Sequence, residues 1–199
     1  MTSSPDAARS QIRNTERTRH AILGATARVV SREGAGVSIV TIAREAGVSK
    51  GGVLHHFPTR EALFEAVAID LLEGFRRSVF DHLDLSENRP GKLLRAYVRT
   101  ICDDVDSDKP RRDTDYVGWQ ALEIFRSSPG VAELVRADAE RWETDLAADG
   151  LDPDRVVLVQ LAADGLTGIA AQNEDTVRRN LARMRPLLLK LTEADQQPW

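Results

Sequence analysis

The chain has one cysteine in 199 residues, Cys102, so it can form neither an internal disulfide nor a thiolate metal cluster, and a reducing, cytoplasmic setting fits. Aromatic residues make up only 5%, and alternating runs of Val, Ile and Thr are nearly absent, which argues against a β-sandwich. No apolar stretch approaches the roughly 18–20 residues of a membrane span. Residues 1–20 lack the apolar core of a secretory signal. No phosphate-binding glycine loop occurs and no histidine lies near Cys102 in sequence, so nothing marks a catalytic centre and no cofactor is expected.

What remains is an ordinary globular balance, 42% hydrophobic and 29% charged, with an uneven charge distribution. The net charge is −4, but residues 1–60 hold nine Lys/Arg against four acids, a net +5, and the rest of the chain carries −9. A basic head on an acidic body points to a head that meets a polyanion, the plain alternative being a solvated basic face.

Hydrophobic spacing reads as helix almost throughout, giving an all-α fold. Ile22, Ala25, Val29 and Val30 mark one helix, stopped at Gly34. Ser38 is placed to cap a short helix with Ile39, Ile42, Ala43 and Ala46 on one face, ended by Gly47, and Ser49 to cap a second running to about Phe57. Thr59 starts a long helix to about His82, and five further helical stretches follow near 92–105, 112–127, 129–149, 153–171 and 175–192. Pro186 should kink or end the last one. The organisation expected is a flexible arm over 1–15, a three-helix head over 16–58, a helical body over 59–192 and a flexible tail over 193–199.

The strongest local signal is SIVTIAREAGVSKGGVLHHF, Ser38 to Phe57, two short helices joined by Gly47-Val48-Ser49. Ala43 must be small where the helices cross, Gly47 must take a positive φ, and Val53 must plug the space between them. An ordinary helical hairpin satisfies one of these by chance. All three together, within the basic part of the chain, describe a helix-turn-helix.

These residues, extended to IAREAGVSKGGVLHHFPTREALF, resemble the DNA-binding signature of the TetR family of bacterial transcriptional regulators. The resemblance begins near Thr18 and is specific to Phe64; Asp164-Gly165-Leu166 is similar to a recurrent feature of the family's second-last helix, and residues 85–155 match only as a helical effector domain does. It implies that the helix from Ser49 to Phe57 enters the DNA major groove, with Ser38, Ser49, Lys50, Gly51, Gly52, His55, His56 and Arg60 at DNA-contacting positions. Family members commonly carry Thr at the position of Gly52 and Tyr at that of Leu54, so two polar handles are missing here. The paired glycines also cost about 1 kcal/mol each of helix propensity, so this helix is expected to fray until DNA orders it. His55-His56 is no metal site, because neighbouring residues point about 100° apart and no third ligand follows at i+4.

In the body, Tyr116, Trp119, Gln120, Glu123 and Arg126 recur at helical steps, with Tyr97 and Arg95 on the preceding helix and Phe75 on the long one. Read plainly they are core aromatics with polar rims. The family resemblance, in which the body binds a small-molecule effector, adds the reading of a pocket lined by Phe75, Tyr97, Tyr116, Trp119, Gln120, Glu123 and Arg126, with Trp142 as wall or packing. Leu158, Leu161, Ala162, Gly165, Gly168 and Ile169, then Leu181, Met184 and Leu188, form either an internal seam or, as the resemblance implies, a homodimer surface. The expected function is a homodimeric repressor bound to a pseudo-palindromic operator in double-stranded DNA and released by an effector. The alternatives are a ligand-independent architectural or cell-division factor and a helical enzyme.

Overall fold

A computed structural model describes residues 5–106, 115–172 and 174–193, and these form nine helices with no strand among them. The helices are α1 (Pro5–Glu33), α2 (Ile39–Glu45), α3 (Lys50–His56), α4 (Arg60–Asp81), α5 (Lys92–Asp104), α6 (Asp115–Phe125), α7 (Pro129–Ala147), α8 (Pro153–Gln172) and α9 (Glu174–Leu191). No helix among the described residues is long and apolar enough to cross a membrane. The chain divides into two units. One holds the residues up to Leu71 together with Val117–Val135, and the other holds Leu72–Tyr116 and Arg136 onward.

The first unit is built around the head. Ile22, Val29, Val30, Ile42, Val53 and Leu63 are fully buried there. Gly34 ends α1 with φ +80°. Arg28 and Arg32 of α1 each reach Glu45 of α2 at 3.3 Å. Phe64 of α4 packs on Phe125 of α6 with ring centroids 4.3 Å apart. The second unit is organised on α5, which packs against α8 and α9. Its Leu94, Tyr97, Val98 and Ile101 are buried, as are Val156, Val159, Ala163 and Leu166 of α8.

At the entry to α5, Gly91 has φ +85° and presents its bare Cα to the Thr192 carbonyl and the Arg95 guanidinium. Arg95 is buried. It donates to the carbonyls of Thr192 at 2.6 Å and Pro90 at 2.9 Å, and pairs with Glu87 at 3.0 Å. This clamp ties the end of α9 to the start of α5.

Three expectations change. The arm placed over 1–15 is helical from Pro5, continuous with α1. Expected fraying of the glycine-bearing helix does not occur: α3 is formed over Lys50–His56, because the Ser49 cap and the burial of Val53, worth about 1 and 1.5–3 kcal/mol, offset the glycine cost. And α9 runs through Pro186 to Leu191. Pro186 and Ala182 are both on the exposed side, so the Ala182 carbonyl that loses its donor faces water.

Candidate nucleic-acid interface and body site

The geometry of the head follows from three serine or threonine caps and one glycine. Ser38 Oγ accepts from the Thr41 amide at 3.1 Å, Ser49 Oγ from the Gly52 amide at 3.0 Å, and Thr59 Oγ1 from the Ala62 amide at 3.0 Å, so each fixes the first turn of its helix. Gly47 has φ +68°, and the turn closes by a bond from the Val48 amide to the Ala43 carbonyl at 3.0 Å. Ala43 and Val53 are buried between α2 and α3, where the sequence placed them. The run Gly47-Val48-Ser49-Lys50-Gly51 has the lettering of a nucleophile elbow, but no strand precedes it and the hydroxyl is spent as a helix cap.

With Val53 and Phe57 turned inward, α3 shows solvent the side chains of Lys50, Leu54 and His55 and the bare backbone of Gly51. Ser38 and Ser49 are also exposed, while Gly52 and His56 are half-buried. Arg44 of α2 adds a further exposed cation. Of the eight predicted contact residues, five are thus exposed and Gly52 and His56 are half-buried. The eighth is Arg60. Its guanidinium donates to the carbonyls of Ala35 and Val37 and lies 4.7 Å over the Phe64 ring, so its charge is used to hold the α1–α2 connection. A planar fork suits two adjacent carbonyls, and this internal demand turns the side chain away from a ligand.

The seven residues expected to line a body pocket are divided between the two units. Gln120, Glu123 and Arg126 belong to the first unit, whereas Phe75 and Tyr97 belong to the second. Glu123 and Arg126 are exposed and pair with each other at 2.9 Å, because the inward face of α6 is Ala121, Leu122 and Phe125. The side chains of Tyr116 and Trp119 lie outside the described residues.

Within the second unit two of the seven, Phe75 and Tyr97, join Trp142 in an aromatic cluster. Phe75, Tyr97 and Trp142 are buried with ring centroids 5.1–5.8 Å apart, all edge to face. Tyr97 Oη donates to Asp164 Oδ1 at 2.6 Å. Arg76 is buried, pairs with Asp145, and lies 4.3 Å over the Trp142 ring. Burial raises the Asp164 carboxyl above its usual range against the opposing Tyr97 bond, and burial followed by the Asp164 charge raises the Tyr97 phenol well above its own. Asp138 is likewise raised by burial, with Arg76 and Arg141 opposing. Sequence spacing singles out neither Arg76 nor Asp138, and names Asp164 only through the family resemblance; the signal for Arg76 is a charged residue interrupting an apolar face beside Phe75.

On α8 the side chains of Val157, Leu158 and Leu161 are 54%, 43% and 67% exposed, Gly165 and Gly168 lie on the same open side, and Ala162 is half-buried at its margin. A Cβ at Gly165 or Gly168 would meet no neighbouring atom within 4 Å. Leu181 and Leu188 are not on this surface: both are buried inside the protomer, and on α9 it is Leu187, 54% exposed, that faces out. Met184 is half-buried, and the side chain of Ile169 lies outside the described residues.

The family described as "Tetracyclin repressor-like, C-terminal domain" matches residues 91–193, and "Bacterial regulatory proteins, tetR family" matches residues 22–67. The HTH-type transcriptional regulator BetI of Pectobacterium atrosepticum is 31% identical over 136 residues, covering 66% of this chain and 67% of that protein. Among solved structures, a transcriptional regulator from Rhodococcus sp. Rha1 has a TM-score of 0.68 at 22% identity, over 90% of this chain and 99% of that one. The multidrug binding protein EbrR, complexed with malachite green, has a TM-score of 0.66 at 26% identity, over 87% of this chain and 96% of its own.

Proposed function

The chain belongs to the TetR family of bacterial regulatory proteins and is a DNA-binding transcriptional regulator, not an enzyme; we propose that it is a homodimeric repressor which leaves a pseudo-palindromic operator when a small molecule binds the body. The observation that carries the DNA reading is α3 itself, a capped helix with Lys50, Leu54 and His55 exposed on a basic head. Such a helix fits the major groove, where side chains reach base edges and surrounding cations neutralise phosphates.

The exposed strip of Val157, Leu158 and Leu161 supports dimerisation, because its bare glycines allow a second copy of α8 to approach closely. Two α3 helices held roughly 34–36 Å apart then read two half-sites. An effector role for the body is supported by the malachite green complex of the relative EbrR and by the buried cluster of Phe75, Tyr97 and Trp142. Helix α4 contributes its start to the first unit and its end, with Phe75, to the second, so a ligand that tilts its end alters the spacing of the α3 helices. A cytoplasmic location accords with a protein that must reach DNA.

The test begins with duplexes selected from a random pool by the full-length protein. Binding should be sequence-specific and fall steeply with salt. A molecule retained by the purified protein should then lower operator affinity, and by linkage operator DNA should lower affinity for that molecule by the same factor. Equal affinity for every duplex refutes operator recognition; equal ligand affinity with and without operator leaves DNA binding but refutes ligand release.

A further inference from the structure

Resting on the reading that α3 enters the major groove, we propose that Leu54 recognises a thymine through its 5-methyl group and so sets one base of each half-site. Leu54 is 39% exposed and is the only apolar side chain that α3 turns to solvent. A single exposed leucine needs no explanation on a protein surface. The surroundings of this one are unusual. With Val53 buried, a turn of about 100° per residue puts Gly51 and His55 on the outermost row of α3, and Lys50 and Leu54 on the row beside it. Helical side chains lean toward the N-terminus, so Leu54 covers the turn that holds Lys50 and Gly51.

Gly51 leaves that turn open. A Cβ there would meet only Ser49 Oγ, at 3.8 Å. A base edge can therefore approach α3 beside Leu54 without a side chain in between. Among the four bases, only thymine shows the major groove a carbon substituent; the other groups are hydrogen-bond donors and acceptors. Leucine has nothing to offer those groups, and covering one would leave it unpaired and desolvated. The residue thus selects for thymine by contact and against the other bases by exclusion. Lys50, on the same row, supplies the charge that holds this face against the nucleic acid.

The experiment uses the full-length protein and its selected duplex. Each thymine is replaced singly, and then in symmetric pairs, by deoxyuridine, which lacks only the methyl group. One position per half-site should lose affinity about fourfold, and the symmetric pair about fifteenfold, as expected for a methyl group left without its apolar partner. Leu54→Ala, an exposed change that should leave the fold intact by circular dichroism, should bind the thymine duplex more weakly and no longer distinguish it from the deoxyuridine duplex. If no thymine position responds, or if Leu54→Ala keeps the same discrimination, Leu54 does not read thymine although operator recognition stands. If no duplex sequence is preferred at all, operator recognition fails first and this assignment falls with it.

Discussion

If α8 forms the two-fold interface, replacing Gly165 with leucine must act in opposite directions on the protomer and on the dimer. A Cβ at Gly165 meets no neighbouring atom within 4 Å, so the larger side chain enters open space in the isolated chain. Leucine also exceeds glycine in helix propensity by about 0.8–1 kcal/mol, and the protomer should gain roughly that. In a dimer the same side chain stands where two helices cross and forces them apart. The companion change Leu161→Ala removes contact without adding bulk. Burying a leucine fully is worth about 1.5–3 kcal/mol. Leu161 is 67% exposed, so truncating it in both protomers forfeits about 2–3 kcal/mol and weakens dimerisation about 30- to 150-fold.

Sedimentation equilibrium over a concentration series gives the dimer constant for native protein and both variants. The protomer term is read in a Leu161→Asp background, in which a buried charge abolishes the dimer. There, Gly165→Leu should raise the urea midpoint. Dimers of native strength in both Leu161→Ala and Gly165→Leu would refute the α8 interface. A lowered midpoint in the monomeric background would show that Gly165 packs within the protomer after all.

Four further outcomes are expected. Lys50→Ala should cost about 1–3 kcal/mol at the selected operator and reduce the salt slope by about one if Lys50 meets a phosphate; unchanged affinity would remove it from the interface. Arg60→Met should destabilise the head by about 2–3 kcal/mol, since the Ala35 and Val37 carbonyls lose a charged donor, and Arg60→Lys should recover little because an ammonium has no fork; full recovery by lysine would contradict the clamp. Gly91→Ala should cost about 3–5 kcal/mol in urea unfolding, combining a left-handed φ of +85° with a Cβ 2.5 Å from the Thr192 carbonyl, and a loss under 1 kcal/mol would mean that the junction yields easily. Asp164→Asn keeps an acceptor for Tyr97 and removes a buried charge whose folded pKa is raised. That penalty is absent below the unfolded carboxylate pKa, grows as pH rises toward the folded one and persists above it, so the variant's stability advantage over native should appear at neutral pH and vanish near pH 3, a constant difference being the contrary result.

The head was legible because its determinants are local. Ser38, Ser49 and Thr59 cap the helices that begin immediately after them, and Gly47 takes its positive φ within a turn of the residues it joins. Helix stops were equally readable, α5 and α7 to α9 lying within about two residues of their expected bounds. Where a local rule fails, a competing local interaction is the stronger. At α3 the cap and Val53 outweighed two glycines. At Pro186 the carbonyl left without a donor lies on a solvated side of α9, so the break that proline threatens costs little.

The body was less legible for a different reason. Periodicity assigns a residue to a row of its own helix, but the identity of the facing row depends on how helices cross. Tyr97 meets Asp164, 67 residues away, and Arg76 meets Asp145, 69 away; no spacing rule links either pair. The α6 row of Gln120, Glu123 and Arg126 illustrates the hazard, being regular at helical steps and yet turned to water at Glu123 and Arg126. On α9 one residue decided the matter: Leu188 is buried and Leu187 exposed, a rotation of about 100° that reverses their roles. A row of polar and aromatic residues therefore becomes evidence for a ligand site only when a second helix closes over it. In the second unit Phe75, Tyr97 and Trp142 come from three helices and bury one another, a packing that no spacing within one helix announces.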